Sequence, residues 1–203
     1  MCAFHQDPVT AATIYAGGRT ALYRSTNSGT SWSALGTPTG TGNIMEFVIA
    51  PSNNQVIYAI KSGTNAVSKS TNGGTSFTAV STGLPTGVAP TSVTVSNTDA
   101  NIVFVTYSGY SAANKVYKST NGGTSWTSIS SGLPNIPVNT IVFQNGSSND
   151  AVYIGTDVGV YYKDNTSAWI AFNTGLPNVS VRDLEITYLG IKRIELFKFD
   201  PNS

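Results

Sequence analysis

A motif that opens on serine, carries a central glycine and closes on an aromatic residue occurs three times in this chain. The three complete copies and a degenerate fourth copy are Ser25–Trp32, Ser70–Phe77, Ser119–Trp126 and Lys163–Trp169. Their closing aromatic residues are spaced by 45, 49 and 43 residues along the sequence. A period of this length indicates one supersecondary unit that is used several times, so the chain is expected to fold as an array of such units.

Each copy of the motif is predicted to form a turn between two strands. The serine opens the turn, the asparagine accepts local backbone hydrogen bonds, and the glycine supplies a positive φ. The aromatic residue is predicted to pack between neighbouring sheets. The residues with these structural roles are Ser25, Asn27, Gly29 and Trp32; Ser70, Asn72, Gly74 and Phe77; Ser119, Asn121, Gly123 and Trp126; and, in the fourth copy, Asp164 and Trp169.

Each period also contains four short runs typical of strands, separated by turn residues and without helical periodicity. Four strands in an antiparallel meander predict one propeller blade per repeat. The chain is therefore predicted to be all-β, a single repeat domain with blades at approximately 1–41, 42–88, 89–136 and 137–178 and a partial fifth at 179–203. This β-propeller would be a partial ring: four four-stranded antiparallel blades plus two strands of a fifth, Val181–Tyr188 and Ile191–Phe199.

The composition restricts the class of partner. Only 10% of the residues are charged and the net charge is +1, so no basic surface is expected for a nucleic acid. The single cysteine, Cys2, excludes an internal disulfide, and no apolar run is long enough to span a membrane. Residues 1–8 lack the features of a signal peptide. The low charge and the many Ser, Thr and Asn residues are typical of secreted proteins. We therefore expect this chain to be a segment of a longer extracellular or cell-surface protein.

The repeated motif resembles the Asp-box, or bacterial neuraminidase repeat, as it occurs in the sortilin/xyloglucanase-like group of propellers. The tail that follows the motif, at Thr82–Pro85, Ser131–Pro134 and Thr174–Pro177, is also usual in that group. Asn27, Asn72 and Asn121 stand where the family has aspartate. Because hard cations prefer charged oxygen ligands, calcium binding at these turns is disfavoured, and we expect neither a metal site nor a cofactor.

The resemblance implies a closed ring of six or more blades, which is more than this chain contains. An incomplete ring leaves exposed sheet edges, and proteins normally cover or pair such edges. Three alternatives remain open from the sequence. Two copies form a dimer that completes one ring, a larger propeller supplies the missing blades, or the chain is an open arc.

The best candidates for catalytic residues are Glu46 and Asp183. Aligned blade to blade, Glu46, Ser92, Thr140 and Asp183 are predicted to occupy one position on the innermost strands. A charge at that position is costly unless it lines a wet channel or is paired. The two carboxyls therefore suggest either the acid/base pair of a glycoside hydrolase or polar groups in an axial channel. The simpler interpretation is that they are solvated residues of the channel wall or that they pair with Arg182.

Two further residues are candidates for ligand binding. Glu185 is predicted to lie beside Asp183, and Tyr110 is predicted to offer an aromatic surface for stacking on a sugar at the top of a blade. A sialidase is disfavoured, because the arginine cluster that its substrate carboxylate requires is not evident among Arg19, Arg24, Arg182 and Arg193.

The sequence favours a non-catalytic extracellular binding or scaffold module that recognises a protein or a glycan through its blade-top loops. The main alternative is half of a carbohydrate-active enzyme, a xyloglucanase-like glycoside hydrolase, completed by a second copy or by missing blades. A photosystem assembly factor is a third hypothesis, supported by fold analogy alone.

Overall fold

The computed structural model describes residues 4–63, 66–111, 113–172, 174–175, 177–188 and 192–195. Most of the predicted strand Ile191–Phe199, together with Leu176 of the third tail, lies outside the described residues. No helix occurs in the part of the chain that the structure describes.

The strands fall into four sheets of four and one sheet of two. Blade 1 contains β1 (Phe4–Gln6), β2 (Ile14–Gly17), β3 (Leu22–Ser25) and β4 (Ser33–Ala34). Blade 2 contains β5 (Ile44–Ile49), β6 (Ile57–Lys61), β7 (Val67–Ser70) and β8 (Thr78–Ala79). Blade 3 contains β9 (Pro90–Val95), β10 (Val103–Tyr107), β11 (Val116–Ser119) and β12 (Thr127–Ser128). Blade 4 contains β13 (Val138–Phe143), β14 (Val152–Thr156), β15 (Gly159–Lys163) and β16 (Ile170–Ala171), and a hairpin of β17 (Glu185–Tyr188) and β18 (Lys192–Glu195) follows.

Within each blade the strands pair in sequence order and antiparallel, as the meander prediction requires. The prediction of an all-β partial propeller is therefore confirmed. The outermost strand is only two residues long in every blade, shorter than the sequence pattern indicates. Long outer strands are not needed, because the turn motifs and the packing between blades hold the outer part of each sheet.

The core lies between neighbouring blades. Blades 1 and 2 share the cluster around Phe47, blades 2 and 3 the cluster around Tyr58, and blades 3 and 4 the cluster around Ile154. All three of these side chains are fully buried. Since the blades bury their apolar faces against one another, the array is stabilised by nearest-neighbour contacts, as in other repeat proteins.

The turn motifs form the same hydrogen-bond network in all three complete copies. In the second copy the Ser70 hydroxyl donates to Asn72 Oδ1 over 2.9 Å and accepts from Gly74 N–H over 2.9 Å. Asn72 Oδ1 accepts from Ser76 N–H over 2.9 Å, and Asn72 Nδ2 donates to Ser76 Oγ over 2.9 Å. Asparagine thus satisfies the turn without a carboxylate, because its amide supplies both an acceptor and a donor.

The closing aromatic residues of the second to fourth motifs pack against the preceding blade, as predicted. Phe77 packs in the cluster shared by blades 1 and 2. The indole of Trp126 donates to Val80 O over 2.7 Å, and that of Trp169 donates to Ile129 O over 2.6 Å. Each indole thus adds a hydrogen bond to the apolar contact between blades.

The first strand of the fifth unit is shorter than predicted. β17 begins at Glu185, so the prediction that Asp183 lies on an inner strand is wrong. Residues 179–184 still pack against blade 4, as the inner strands of blades 2 to 4 pack against the blade before them: Val181 and Leu184 are buried beside Val160. Val181 N–H donates to Thr156 O over 2.8 Å, so the backbone bonds to blade 4 before the β17–β18 pairing begins.

Candidate functional site

The inner strands place three side chains at equivalent positions. Glu46 pairs with Ile60, Ser92 with Thr106, and Thr140 with Gly155, each directly after a register shift in the inner strand. This register agrees with the blade-to-blade alignment made from the sequence for these three residues. The row of positions follows the inner edge of blades 2 to 4.

Glu46 reaches from blade 2 to blade 3. Val93 N–H donates to Glu46 Oε2 over 2.8 Å, and Ser92 forms a further hydrogen bond with the carboxylate. At the next junction, Ile141 N–H donates to Ser92 Oγ over 3.3 Å. The same position therefore joins blade 2 to blade 3 and blade 3 to blade 4, and in blade 2 a carboxylate has this role.

Burial raises the pKa of the Glu46 carboxyl from 4.5 to about 7, and the hydrogen bonds from Ser92 and Val93 oppose this effect only in part. The negative charge of Asp183 raises the pKa further. Glu46 can therefore hold a proton near neutral pH, which is the property that a general acid requires.

The other acidic candidates lie in solvent. Asp183 and Glu185 are both exposed, and Arg182 between them is exposed as well. Among the described residues, the one ion pair is Lys118–Asp150, at 2.8 Å. Arg182 therefore forms no ion pair with Glu46 or with Asp183 in this part of the chain. Glu46 and Asp183 thus interact electrostatically, but only Glu46 is held in a defined position.

Tyr110 lies in a different place, on the rim of a pocket of about 450 Å³ between blades 2 and 3. One wall is the connection from blade 2 to blade 3, with Leu84 and Val88. The other wall is the loop between β10 and β11, with Ser108, Tyr110 and Asn114. Since Pro90 pairs with Tyr107, both walls lie on one face of the array, opposite the turn motifs.

The pocket exists because this loop is long. Eight residues separate β10 from β11, whereas two separate β14 from β15 in blade 4. Long loops on a rigid scaffold are where binding residues concentrate. The sequence analysis identified Tyr110 but missed Val88 and Asn114. Comparing the hairpin lengths of the four blades could have located Asn114, whereas Val88 lies in the connection between blades 2 and 3.

The pocket offers an aromatic ring and neutral polar groups. Tyr110 is 73% exposed, although tyrosine is a residue type of intermediate burial. Lys115 is buried beneath it, with Nζ 6.0 Å from the ring centroid and donating to Gly109 O. The Tyr117 hydroxyl donates to Asn114 Oδ1 over 2.7 Å, which fixes the amide in the wall. None of the described lining residues carries a charge.

A second crevice, of about 230 Å³, lies between blades 3 and 4 on the face of the turn motifs. Lys118 occupies its wall, bonded to Asp150 over 2.8 Å and to Asn165 Oδ1 over 2.7 Å. Asp164 nearby accepts the backbone N–H groups of Thr166 and Ser167. The bond from the Thr166 backbone and a hydrogen bond with the Ser167 side chain hold the pKa of its carboxyl well below its usual range. Because these polar groups already bond to one another, they stabilise the junction between blades 3 and 4 and leave few groups for a ligand.

The described residues contain no group of three or more His, Cys, Asp and Glu side chains that could hold a metal ion. Nor do they include a helix of the length and apolarity needed to cross a membrane.

Comparison with known proteins agrees with this architecture. The model of the Sortilin-Vps10 family (sortilin, neurotensin receptor 3) matches residues 20–167, and the chain belongs to this family. Among curated proteins, no sequence matches the chain.

Many solved structures share the fold. An ancestral GH74 enzyme is 24% identical with a TM-score of 0.65, over 85% of this chain and 24% of its own. The GH74 xyloglucanase of Xanthomonas campestris is 18% identical with a TM-score of 0.66, over 85% and 29%. The extracellular domain of a one-component system of B. thetaiotaomicron, BT4673, is 14% identical with a TM-score of 0.66, over 96% and 25%. The chain thus spans about a quarter of the length of these propeller proteins, and identities this low show the fold alone.

Proposed function

We propose that this chain is a non-catalytic binding segment of an extracellular propeller, and that it recognises a neutral glycan in the pocket beside Tyr110. The observation that carries the proposal is the combination of an exposed aromatic ring with a concave wall that is polar but uncharged. A protein ligand is the alternative for the same pocket.

The chemistry of the pocket suits a sugar. A pyranose presents apolar C–H groups on its faces and hydroxyl groups around its rim. Tyr110 offers a flat surface for the face, while Ser108, Ser111 and Asn114 offer hydrogen-bond partners for the hydroxyls. The uncharged wall gives no reason for an acidic or basic ligand to bind better than a neutral one.

The ring around the site requires further blades, which we propose come from a second copy of the chain or from a longer parent. An extracellular location is supported by the neighbour that is itself an extracellular domain. It is also consistent with a composition poor in charge and rich in serine, threonine and asparagine.

A second candidate function is half of a glycoside hydrolase. The observation that favours it is the raised pKa of Glu46 together with its interaction with Asp183. Two of the neighbours are GH74 proteins, one of them a xyloglucanase. The bond from Val93 N–H to the Glu46 carboxylate argues for a structural role instead, since it uses one of the two oxygens.

The test compares the wild-type chain with Tyr110→Ala in calorimetric titrations with xyloglucan oligosaccharides and cellohexaose. Removing a central aromatic contact typically costs about 1–2 kcal/mol, so we expect binding to weaken by about 5- to 30-fold. Val158→Ala is the matched control, because Val158 is exposed in the corresponding hairpin of blade 4 and lies outside the pocket.

The two functions give different results in the same samples. A hydrolase would release reducing ends from xyloglucan and would lose this activity in Glu46→Gln and Asp183→Asn. The binding module releases none and keeps its affinity in both variants. A protein ligand would be supported by two results together. The wild type would bind neither oligosaccharide, and peptides selected from a library by the wild type would no longer bind to Tyr110→Ala.

A further inference from the structure

An asparagine is followed directly by a glycine at three places in the chain. The three steps are Asn72-Gly73, Asn121-Gly122 and Asn145-Gly146. The first two belong to the turn motifs, whereas the third lies in the turn between β13 and β14. Asn-Gly steps are prone to loss of the side-chain amide, because glycine has no Cβ to hinder attack by its backbone nitrogen. The surroundings of each step decide whether it can react in the folded protein.

This reaction, deamidation, begins when the backbone nitrogen of the glycine attacks Cγ of the asparagine. The attacking nitrogen loses its proton to solvent, the side-chain nitrogen leaves as ammonia, and a succinimide ring forms. Water then opens the ring at either carbonyl, which gives aspartate or isoaspartate. The net reaction consumes water and releases ammonia, so it needs no cofactor. It does require a free backbone nitrogen and a turn that can rearrange.

The second turn motif holds both of the reacting groups. Asn72 Oδ1 accepts from Ser76 N–H over 2.9 Å, and Asn72 Nδ2 donates to Ser76 Oγ over 2.9 Å. The attacking nitrogen is held as well, because Gly73 is buried and its N–H donates to Gln55 O over 2.9 Å. A Cβ at Gly73 would lie 3.2 Å from Gln55 Oε1, so the turn has little room to rearrange. This motif must therefore open before Asn72 can react.

The third turn motif repeats the arrangement. Asn121 Oδ1 accepts from Ser125 N–H over 2.9 Å, and Asn121 Nδ2 donates to Ser125 Oγ over 2.8 Å. Gly122 is buried, and its N–H donates to Asn101 O over 2.9 Å. Because these hydrogen bonds must break together, the reactive open state is a small fraction of the molecules.

The step between β13 and β14 is open. Asn145 and Gly146 are both exposed, and no hydrogen bond among the described residues involves the Asn145 side chain or the Gly146 N–H. A Cβ at Gly146 would have no neighbour within 4 Å. The turn is closed by the bond from Ser147 N–H to Gln144 O over 3.1 Å, with Gly146 at a φ of +73° as in a type II turn. The Gly146 nitrogen can therefore approach Cγ when this turn alone rearranges.

We infer that Asn145 is a site of spontaneous modification, which deamidates in the folded protein while Asn72 and Asn121 remain intact. The difference arises from the surroundings of the three steps, since the reacting dipeptide is the same in each. The product carries an additional negative charge and, as isoaspartate, an additional carbon in the main chain. The inference does not depend on the proposed function.

The modified turn lies on the face of the turn motifs. Asn149 O, in the same connection, accepts the Asn165 N–H of the fourth motif over 2.9 Å. The Tyr110 pocket lies on the opposite face, so its affinity is expected to stay the same in Asn145→Asp. Failure of this inference and failure of the ligand site are therefore distinguishable.

The test uses hydroxylamine, which attacks the succinimide and cleaves the chain between the asparagine and the glycine. At mildly alkaline pH the folded protein is expected to give fragments 1–145 and 146–203, at least about tenfold faster than cleavage after Asn72 or Asn121. The chain unfolded in guanidinium is the control, because all three steps are then expected to react at similar rates. Asn145→Gln is the matched variant, since its longer side chain would have to close a larger ring, and it is expected to abolish this cleavage.

Mass spectrometry of the folded protein stored without hydroxylamine gives a second readout. Fragment spectra should locate the replacement of NH2 by OH at Asn145 and not at Asn72 or Asn121. Equal rates at the three steps in the folded protein would overturn the inference. So would an intact Asn145 after a period in which the free peptide Gln-Asn-Gly-Ser reacts. Circular dichroism confirms that the protein stays folded during the reaction.

Discussion

Replacing Glu46 by glutamine is expected to stabilise the protein, and to do so only at higher pH. The carboxyl has a pKa of about 7 in the folded chain and an ordinary value of 4.5. Below pH 4.5 both states hold the proton, so the group contributes nothing. Between these values the unfolded chain releases its proton first, and the free energy of unfolding falls as the pH rises. Above pH 7 the decrease in the free energy of unfolding reaches its full size.

The size of this loss follows from the two pKa values. One pH unit of difference corresponds to about 1.4 kcal/mol, so the ionised carboxylate costs the folded state about 3 kcal/mol at pH 8. Glutamine cannot ionise, and its Oε1 can still accept the Val93 N–H. We therefore expect Glu46→Gln to be about 2–3 kcal/mol more stable than the wild type at pH 8 and equal to it at pH 4.

Urea unfolding at pH 4, 6 and 8 measures this difference, provided that the denaturant slope stays constant between the two proteins. Glu185→Gln removes the same charge from an exposed position and controls for the change in net charge. If Glu46→Gln were less stable than the wild type at pH 8, the carboxylate would be a favourable partner in the blade junction. The reasoning from burial would then be refuted.

Three further predictions concern the blade junctions, and urea unfolding measures each of them. Asn121→Ala removes the turn hydrogen bonds of the third motif and is expected to cost about 2–3 kcal/mol, whereas Asn121→Asp keeps the acceptor and costs less; equal losses would contradict this role. Trp169→Phe leaves the Ile129 carbonyl without its 2.6 Å bond and is expected to cost about 1–3 kcal/mol, so an unchanged midpoint would show that the bond contributes nothing. Gly123→Val is expected to be more damaging, at about 3 kcal/mol or more, because φ is +87° and a Cβ would meet Val80 at 2.8 Å; a neutral effect would contradict the close contact between blades.

The sequence predicts the repeated parts of the fold well, because each has a local cause. The turn at Asn72 follows from residues within four positions of it, and three copies of the same motif indicate the same geometry. The positions of Glu46, Ser92 and Thr140 could be aligned because strand alternation and a constant period determine the register. The structure adds that Glu46 and Ser92 accept a backbone N–H of the next blade.

The parts that could not be predicted depend on contacts that are distant in the sequence. The analogy with Glu46 predicts a strand at Asp183, but β17 begins only at Glu185. The pocket at Tyr110 combines a blade connection, which contains the repeated tail Thr82–Pro85, with one long hairpin loop that the other blades lack. The 41% exposure of Trp32 depends on what packs against blade 1, and the motif itself does not determine this.

The affinity of the chain for xyloglucan oligosaccharides and cellohexaose, with and without Tyr110, tests the proposed function most directly. Calorimetry should show binding to the wild type and to Val158→Ala, a loss of about 5- to 30-fold in Tyr110→Ala, and no release of reducing ends. Equal affinity in all three proteins would place the glycan elsewhere on the chain. Hydrolysis of xyloglucan that is lost in Glu46→Gln would contradict the binding function and show that the chain is an enzyme.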